Sequence, residues 1–274
     1  MHEEIVVPSS HNTHLTLSAA APPTRRPGVL LDGNMRPQPS LLLAILTAAD
    51  VSARVGVDVS RPVDQSQWEC LQSPGGQGPV EQAIVRVYCS SGRTDPNALD
   101  SLKAAKTAGI PLIGGYIFPC VACGDAAAQV RDARAMLDGV NTSAILWLDI
   151  ERFKWSSNQT SNRAFIASMT DACLAGGRCG VYSSFNSWSA IAGASWDYPK
   201  TRGLPLWYPH YDGNPSFSDF KPFGGWTSPL MKQYLGNEES CGVGVDYNYF
   251  PSSSSSSSSM VLRPLSFVHS DRAK

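Results

Sequence analysis

Short apolar runs alternate with segments of helical periodicity from residue 54 to residue 250. The apolar runs have the length of β-strands, and residues that start and stop helices lie between them. A strand, a helix and a following strand at this spacing predict βαβ units and a mainly parallel sheet. The runs lie at residues 54–59, 83–88, 111–118, 144–150, 179–182, 204–207 and 231–234.

About seven or eight such strands are enough to close a barrel. The predicted fold class is therefore α/β, a TIM-barrel-like (β/α) barrel in a single domain, with a doubly wound sheet as the alternative. No glycine-rich phosphate loop follows any run, which argues against a nucleotide-binding sheet. The net charge of -1 over 274 residues gives no sign of a nucleic-acid-binding surface.

Both ends of the chain differ in composition from the unit at 54–250. Residues 1–34 are polar and proline-rich, and we expect a disordered extension ahead of a true translation start at Met35. Residues 35–53 are typical of a signal peptide, with a charged start, an apolar segment and a cleavage site near Ala53. The apolar segment is too short for a stable membrane span. Residues 251–274 contain a serine tract, which predicts a disordered tail.

Seven cysteines and two glycosylation sequons favour an oxidising compartment. The sequons begin at Asn141 and Asn158. We therefore expect the protein to be secreted, or to lie in the endolysosomal or phagosomal lumen.

The cysteine spacing favours structural disulfides. Cys173 and Cys179 flank a predicted helix end and strand start, so they are candidates to bridge each other. Cys120 and Cys123 form a CxxC motif that could indicate a redox or zinc site, but the second ligand pair that zinc needs is missing. Because the total is odd, at least one thiol should remain free.

Acidic residues stand where three of the apolar runs end. Asp149 and Glu151 follow one run, Asp58 ends the first strand, and Asp246 lies near the last. Strand residues two apart point to one side, and barrel active sites lie at the carboxyl ends of the strands. Two neighbouring carboxyls in a partly apolar pocket can differ in protonation, which suits glycoside cleavage.

A structural interpretation competes with this one. Asp149 could cap the next segment while Glu151 pairs with Arg152 on the surface, and Asp58 and Asp246 could each bond only to backbone. Three separate runs each bring an acid to the same barrel mouth, and this favours a functional site over unrelated structural roles.

Aromatic residues follow the same pattern and suit a cleft in which sugar rings stack. The candidates for substrate binding are Tyr88, Tyr116, Tyr182, Trp207 and Tyr208. Each could equally be an ordinary core residue. Trp207 and Tyr208 are the strongest candidates because polar residues follow them.

Several short motifs occur in a fixed order along the chain. They are GVDVS (56–60), ILWLDIE (145–151), GVYSS (180–184), LPLWYPHYD (204–212), KQY (232–234) and GVDYNYF (244–250). Together they resemble glycoside hydrolase family 25, the Chalaropsis-type lysozymes, over nearly all of 54–250. Segments such as YDGNPSFSDF are similar to the secreted amoeba and nematode lysozymes of that family.

The resemblance implies a flattened, irregular α/β barrel with N-acetylmuramidase activity, and makes 54–250 the catalytic domain. The expected substrate is bacterial peptidoglycan, cut at the β-1,4 bond between N-acetylmuramic acid and N-acetylglucosamine. By motif, Glu151 is the catalytic acid, Asp149 orients or stabilises the reacting sugar, Asp58 and Asp246 complete the acidic cluster, and Gln233 binds substrate. We expect a monomer without a cofactor or metal.

Residues 116–118 depart from the family pattern, because bacterial members usually carry a histidine in the middle of this segment and here it is Ile117. Two other functions compete with a muramidase. One is a non-catalytic glycan-binding module on the same fold, against which the intact acids argue. The other is a chitinase-like hydrolase, whose Asp-x-x-Asp-x-Asp-x-Glu signature is absent.

Overall fold

The computed structural model describes residues 53–73, 77–140 and 143–251. The predicted extension at 1–34, nearly all of the signal-like segment at 35–53, the serine-rich tail after 251 and Asn141 lie outside these residues. Within them, no helix combines the length and the apolar character needed to cross a membrane.

Within these described ranges, nine strands form one sheet, and eight of them close into a barrel. They are β1 (Ala53–Val59), β2 (Val80–Cys89), β3 (Arg93–Thr94), β4 (Leu112–Ile117), β5 (Leu146–Asp149), β6 (Cys179–Tyr182), β7 (Leu206–Pro209), β8 (Met231–Ser240) and β9 (Val243–Pro251). The order is β1-β9-β8-β7-β6-β5-β4-β2-β3, and pairing of β1 with β2 closes the ring. The predicted α/β barrel is confirmed, and the doubly wound alternative is excluded.

The barrel is mixed because β9 runs against its two neighbours. The β8–β9 and β1–β9 pairs are antiparallel, whereas the remaining barrel pairs are parallel. Strand β9 was absent from the predicted runs. Because it is antiparallel, its first residues lie at the end of the barrel where the parallel strands finish.

Helices occupy most of the connections between the strands. They are α1 (Gln65–Gln72), α2 (Ala98–Thr107), α3 (Ala126–Asp138), α4 (Gln159–Gly176), α5 (Phe185–Ile191) and α6 (Tyr198–Thr201), with a short 3-10 turn at Val121–Cys123. Several begin at a side-chain cap, as at Asp64, whose carboxylate accepts from the Gln67 amide while the Gln67 side chain accepts from the Asp64 amide.

Alternation along each strand separates two apolar layers. Leu146 and Leu148 on β5 belong to the layer between barrel and helices, whereas Trp147 belongs to a second cluster with Tyr182 and Trp207. The Trp147 ring reaches across β6 only because residue 180 is glycine. A Cβ there would lie 2.3 Å from Trp147 Cζ3.

Three disulfides use six of the seven cysteines. Cys173–Cys179 forms as predicted, and Cys120–Cys123 is a disulfide, as favoured for the CxxC motif. Cys70–Cys241 joins α1 to the turn between β8 and β9. Cys89 is the free thiol.

Candidate active site

An acidic pocket of about 110 Å³ opens at the carboxyl end of the parallel strands. All four predicted acids line it. The complete lining consists of Asp58, Tyr116, Asp149, Glu151, Tyr182, Trp207, Tyr211, Gln233 and Asp246. A second cavity of about 210 Å³ adjoins the acidic pocket and shares Asp58, Tyr116 and Asp246 with it.

Strand register places these acids together. Asp58 on β1 stands opposite Asp246 on β9, although 188 positions separate them in the sequence. Asp149 ends β5, and Glu151 lies beyond the strand. The segment between them stays aligned with β6, because the Ile150 amide donates to the Tyr182 carbonyl at 2.8 Å and the Ser183 hydroxyl donates to the Ile150 carbonyl at 2.6 Å.

The carboxyls of Asp149 and Glu151 are neighbours, and the neutral form of Asp149 can donate a hydrogen bond to Glu151. Burial raises the pKa of Asp149 well above its ordinary value, and the charges of Glu151 and Asp58 raise it further. Burial also raises the pKa of Glu151, but the hydrogen bond from Asp149 opposes that rise. The pair therefore holds a proton at a pH where ordinary carboxyls are ionised.

Asp149 is the more deeply buried member of the pair, and this burial favours its neutral form. The roles predicted for Glu151 as catalytic acid and for Asp149 as orienting or stabilising carboxylate remain predictions. Asp149 is 4 % exposed, and its Oδ1 has no hydrogen-bond partner among the described residues. An ionised carboxylate there would be poorly compensated.

Gln233 organises the other half of the pocket. Its Nε2 donates to Asp58 Oδ1 at 2.8 Å and to Asp246 Oδ2 at 3.1 Å. Its Oε1 accepts from the hydroxyls of Tyr182 at 2.6 Å and Tyr211 at 2.8 Å. These bonds fix the orientation of the amide, so a single side chain positions two acids and two tyrosines.

Asp58 receives a second donor from Asn248. The Asn248 Nδ2 lies 2.8 Å from Asp58 Oδ1, and Asn248 Oδ1 accepts from Trp207 Nε1 at 2.7 Å. Burial raises the pKa of Asp58 well above its usual value, and Asp246 adds to the rise, while the bonds from Asn248 and Gln233 oppose it. Burial likewise raises the pKa of Asp246, against a hydrogen bond from the Asn237 amide.

Three predicted aromatic residues reach the pocket and two do not. Tyr116, Tyr182 and Trp207 line it. Tyr88 is buried in the layer between barrel and helices, next to a register shift in the β2–β4 pairing. Tyr208 follows Trp207 on β7 and therefore faces the opposite way, where its hydroxyl donates to Asp219 at 3.0 Å. The structure thus does not bring Tyr88 or Tyr208 to the acids.

Comparison with known proteins identifies the family. The family model described as "Lysozyme-like protein 1" matches residues 49–234. "Probable GH family 25 lysozyme 2" of Dictyostelium discoideum is 42% identical over 203 residues, which is 73% of this chain and 92% of that protein. The chain belongs to glycoside hydrolase family 25. As a member of this lysozyme family, it is a glycoside hydrolase.

Two further comparisons concern another relative and a solved structure. "Lysozyme-like protein 5" of Caenorhabditis elegans is 40% identical over 208 residues, 73% of this chain and 93% of that protein. The modular autolysin LytC of Streptococcus pneumoniae, solved in complex with a synthetic peptidoglycan ligand, matches with a TM-score of 0.57 at 17% identity. This match covers 72% of this chain and 46% of LytC, and it shows a shared fold.

Sequence reasoning missed one residue that lines this family 25 pocket, Tyr211, and one that supports it from below, Asn248. Tyr211 is 58 % exposed, and its hydroxyl is bonded to Gln233 at the pocket. Asn248 is fully buried beneath Asp58. Asn248 follows Asp246 by two residues on one strand, and this spacing indicates that both side chains point to the same side. Tyr211 lies in a loop, where alternation gives no direction.

A group of polar residues beside the pocket has the composition of a cation site. Ligand atoms of His210, Asp212 and Asp219 lie within 4.8 Å of one another. However, the buried Lys232 ammonium donates to Asp212 at 2.9 Å and to Asp219 at 2.8 Å. A metal ion would have to compete with this ammonium, so the group is an ion-paired cluster that holds the loop carrying Tyr211.

One glycosylation candidate can be placed. Asn158 is exposed at the start of α4, where its side-chain oxygen accepts from the amides of Thr160 and Ser161. The exposed position leaves room for a glycan, but the side chain already serves as a helix cap.

Proposed function

We propose that this protein is an N-acetylmuramidase that hydrolyses the β-1,4 bond between N-acetylmuramic acid and N-acetylglucosamine in bacterial peptidoglycan. The observation that carries the proposal is the acidic pocket at the barrel mouth, where Asp149 and Glu151 lie beside Asp58 and Asp246. The lysozyme names of its relatives and the peptidoglycan ligand of LytC also support it.

Glu151 is the proposed proton donor to the leaving oxygen. It is the partly exposed member of the pair, so it can meet a glycosidic oxygen, whereas Asp149 lies deeper. As the bond between the anomeric carbon and that oxygen breaks, the single proton held by the pair passes through Glu151 to the leaving oxygen, and both carboxyls are then ionised. The N-acetylglucosamine unit leaves with a neutral 4-hydroxyl.

This transfer leaves Asp149 ionised while positive charge develops on the sugar ring. An anionic carboxylate in a buried pocket stabilises an oxocarbenium-like transition state more strongly than it would in water. In this proposal Asp149 also orients the 2-acetamido group. Water finally supplies the hydroxyl at the anomeric carbon, and its other proton returns to the Asp149–Glu151 pair. Asp58 and Asp246 contribute to the electrostatic field of the same pocket, and the Gln233 amide donates a hydrogen bond to each of them.

The tyrosines and Trp207 are the proposed sugar contacts. The hydroxyls of Tyr182 and Tyr211 converge on Gln233, and the exposed ring of Tyr211 offers an apolar face at the pocket edge. The adjoining cavity beside Asp58 and Asp246 extends the cleft, which suits a glycan strand longer than one sugar unit.

We also propose that the enzyme works as a monomer in an oxidising compartment, either outside the cell or in the endolysosomal or phagosomal lumen. Three disulfides support this, because thiols stay reduced in the cytosol.

Clearing of a peptidoglycan suspension tests the role of Glu151. Glu151→Gln should lower the rate at least about 10²-fold, because it removes the proton donor but keeps the shape. Glu69→Gln, at an exposed residue of α1, is the matched control and should clear at the wild-type rate. Unchanged clearing by Glu151→Gln would refute the assignment. Wild-type protein that binds peptidoglycan without clearing it would instead indicate a glycan-binding module.

A further inference from the structure

A third and larger cavity lies at the opposite end of the barrel from the acids. Its volume is about 590 Å³, within the range of small-molecule sites. Residues that begin parallel strands line it, such as Leu112 on β4 and Met231 on β8, together with Phe250 at the end of the antiparallel β9. We call this cavity the basal pocket.

The walls of the basal pocket are mostly apolar. Leu112 and Leu230 on its rim are 39 % and 44 % exposed, and both are among the large apolar side chains most exposed in the described part of the chain. Ile145, Met231 and Phe250 continue the apolar surface. Such side chains gain free energy when an apolar ligand removes them from water.

Two hydrogen-bond donors in this pocket have unused capacity. Arg178 is exposed at the rim, donates a long bond, 3.4 Å, to the Ser143 carbonyl, and has no carboxylate partner within the described residues. By contrast, Arg54 on the same rim is paired with Glu81 at 2.7 Å. Trp147 also lines the pocket, and its buried indole N–H has no acceptor among the described residues.

We propose that the basal pocket binds a single-chain amphiphile with a carboxylate head, of the fatty-acid type. The hydrocarbon chain lies against Leu112, Ile145 and Phe250. The two oxygens of the head accept from Arg178 and from the Trp147 N–H. Because Arg178 is cationic and not neutralised by a carboxylate, an anionic head is favoured over a neutral or cationic one.

The pocket is separate from the catalytic cleft. Trp147 and Trp207 pack edge to face, 5.5 Å between ring centroids, and lie between the two cavities, since Trp147 lines the basal pocket and Trp207 lines the acidic one. Ligand binding is therefore expected to leave hydrolysis unchanged, and its test is independent of the muramidase proposal.

Isothermal titration of the full chain with dodecanoate tests this site. We expect saturable binding of one molecule per chain, and at least tenfold weaker binding of dodecanol and of dodecyltrimethylammonium. Arg178→Gln should weaken dodecanoate binding by about tenfold, the usual scale for a charge-assisted hydrogen bond. Arg131→Gln, at an exposed arginine on α3, is the matched control and should bind as wild type.

Substitutions on the rim separate loss of the site from loss of the fold. Leu230→Glu should abolish binding, whereas Leu230→Met should retain it, and both should keep the wild-type unfolding temperature because this residue is partly exposed. The proposal is overturned by an absence of saturable binding, by equal binding of dodecyltrimethylammonium, or by the same weakening in Arg131→Gln and Arg178→Gln.

Discussion

The fold buries the carboxyl of Asp149, and this burial opposes its ionisation. Its folded-state pKa lies well above the ordinary value because of burial and the nearby Glu151. The folded state therefore binds this proton more tightly than the unfolded state does. Stability contributed by the neutral form is fully present below the unfolded pKa and is lost as pH rises toward the folded pKa. Ionisation of Asp149 at neutral pH therefore lowers the stability of the fold, as expected of a residue that is retained for catalysis.

Replacing Asp149 by asparagine should accordingly stabilise the protein at neutral pH. We expect Asp149→Asn to raise the free energy of unfolding at pH 7, because asparagine keeps the shape of the side chain and has no charge to bury. The gain should vanish near pH 3, where the carboxyl is neutral in both states. Urea unfolding at the two pH values measures this difference.

Asp132→Asn is the control for that experiment. Asp132 is exposed on α3, so its substitution should change stability little at either pH. A gain of the same size at both pH values would contradict the titration argument.

The shared proton also predicts how activity depends on pH. Raised pKa values keep one proton on the Asp149–Glu151 pair above the range in which isolated carboxyls ionise. Hydrolysis should therefore persist above about pH 5 and then decline as the pair loses its proton. A profile of kcat/KM on soluble peptidoglycan fragments measures the basic limb. A limb centred near the ordinary glutamic acid value would contradict a shared, buried proton.

At the scale of elements, the loop at 210–220 positions Tyr211 through a buried charge. Lys232 is fully buried and bonded to Asp212 and Asp219 of that loop. Lys232→Met leaves both carboxylates without this partner, so we expect a loss of about 2–3 kcal/mol in stability. The looser loop should raise KM several-fold and change kcat less.

Steady-state kinetics measures both, and Lys103→Met on the exposed face of α2 is the control. An unchanged KM would show that Tyr211 does not depend on this ion-paired cluster.

The sequence predicted those elements whose signals are local. Apolar runs and helix ends predicted the parallel strands, and the acids at 58, 149, 151 and 246 lie together as expected. Strand β9 was not among the predicted runs, because its polar residues such as Asn248 face the barrel interior and interrupt the apolar pattern.

Side-chain direction and protonation were harder to predict than position. Tyr88 and Tyr208 stand at strand ends but face the helices or a loop, because alternation and a register shift decide the side. The raised pKa of Asp149 follows from its burial, and burial depends on the whole barrel. Tyr211 is placed by a loop held through long-range ion pairs.

At the scale of the molecule, Cys70–Cys241 ties the first helix to the final hairpin. The bond spans 171 positions, so it restricts most of the unfolded domain. Replacing both cysteines by alanine should lower the free energy of unfolding by about 3–5 kcal/mol. Denaturant unfolding under non-reducing conditions measures the loss. Replacement of Cys120 and Cys123, only three positions apart, should cost less, and the reverse order would contradict the chain-entropy argument.

The central claim concerns which glycosidic bond is cut, and the new reducing end reports it directly. Purified peptidoglycan digested with the enzyme is reduced with borohydride, hydrolysed, and its sugar alcohols identified by mass spectrometry. A muramidase leaves N-acetylmuramic acid at the reducing end, so we predict the alcohol derived from muramic acid, and none from digestion with Glu151→Gln. Recovery of the alcohol derived from glucosamine instead would contradict the proposed specificity.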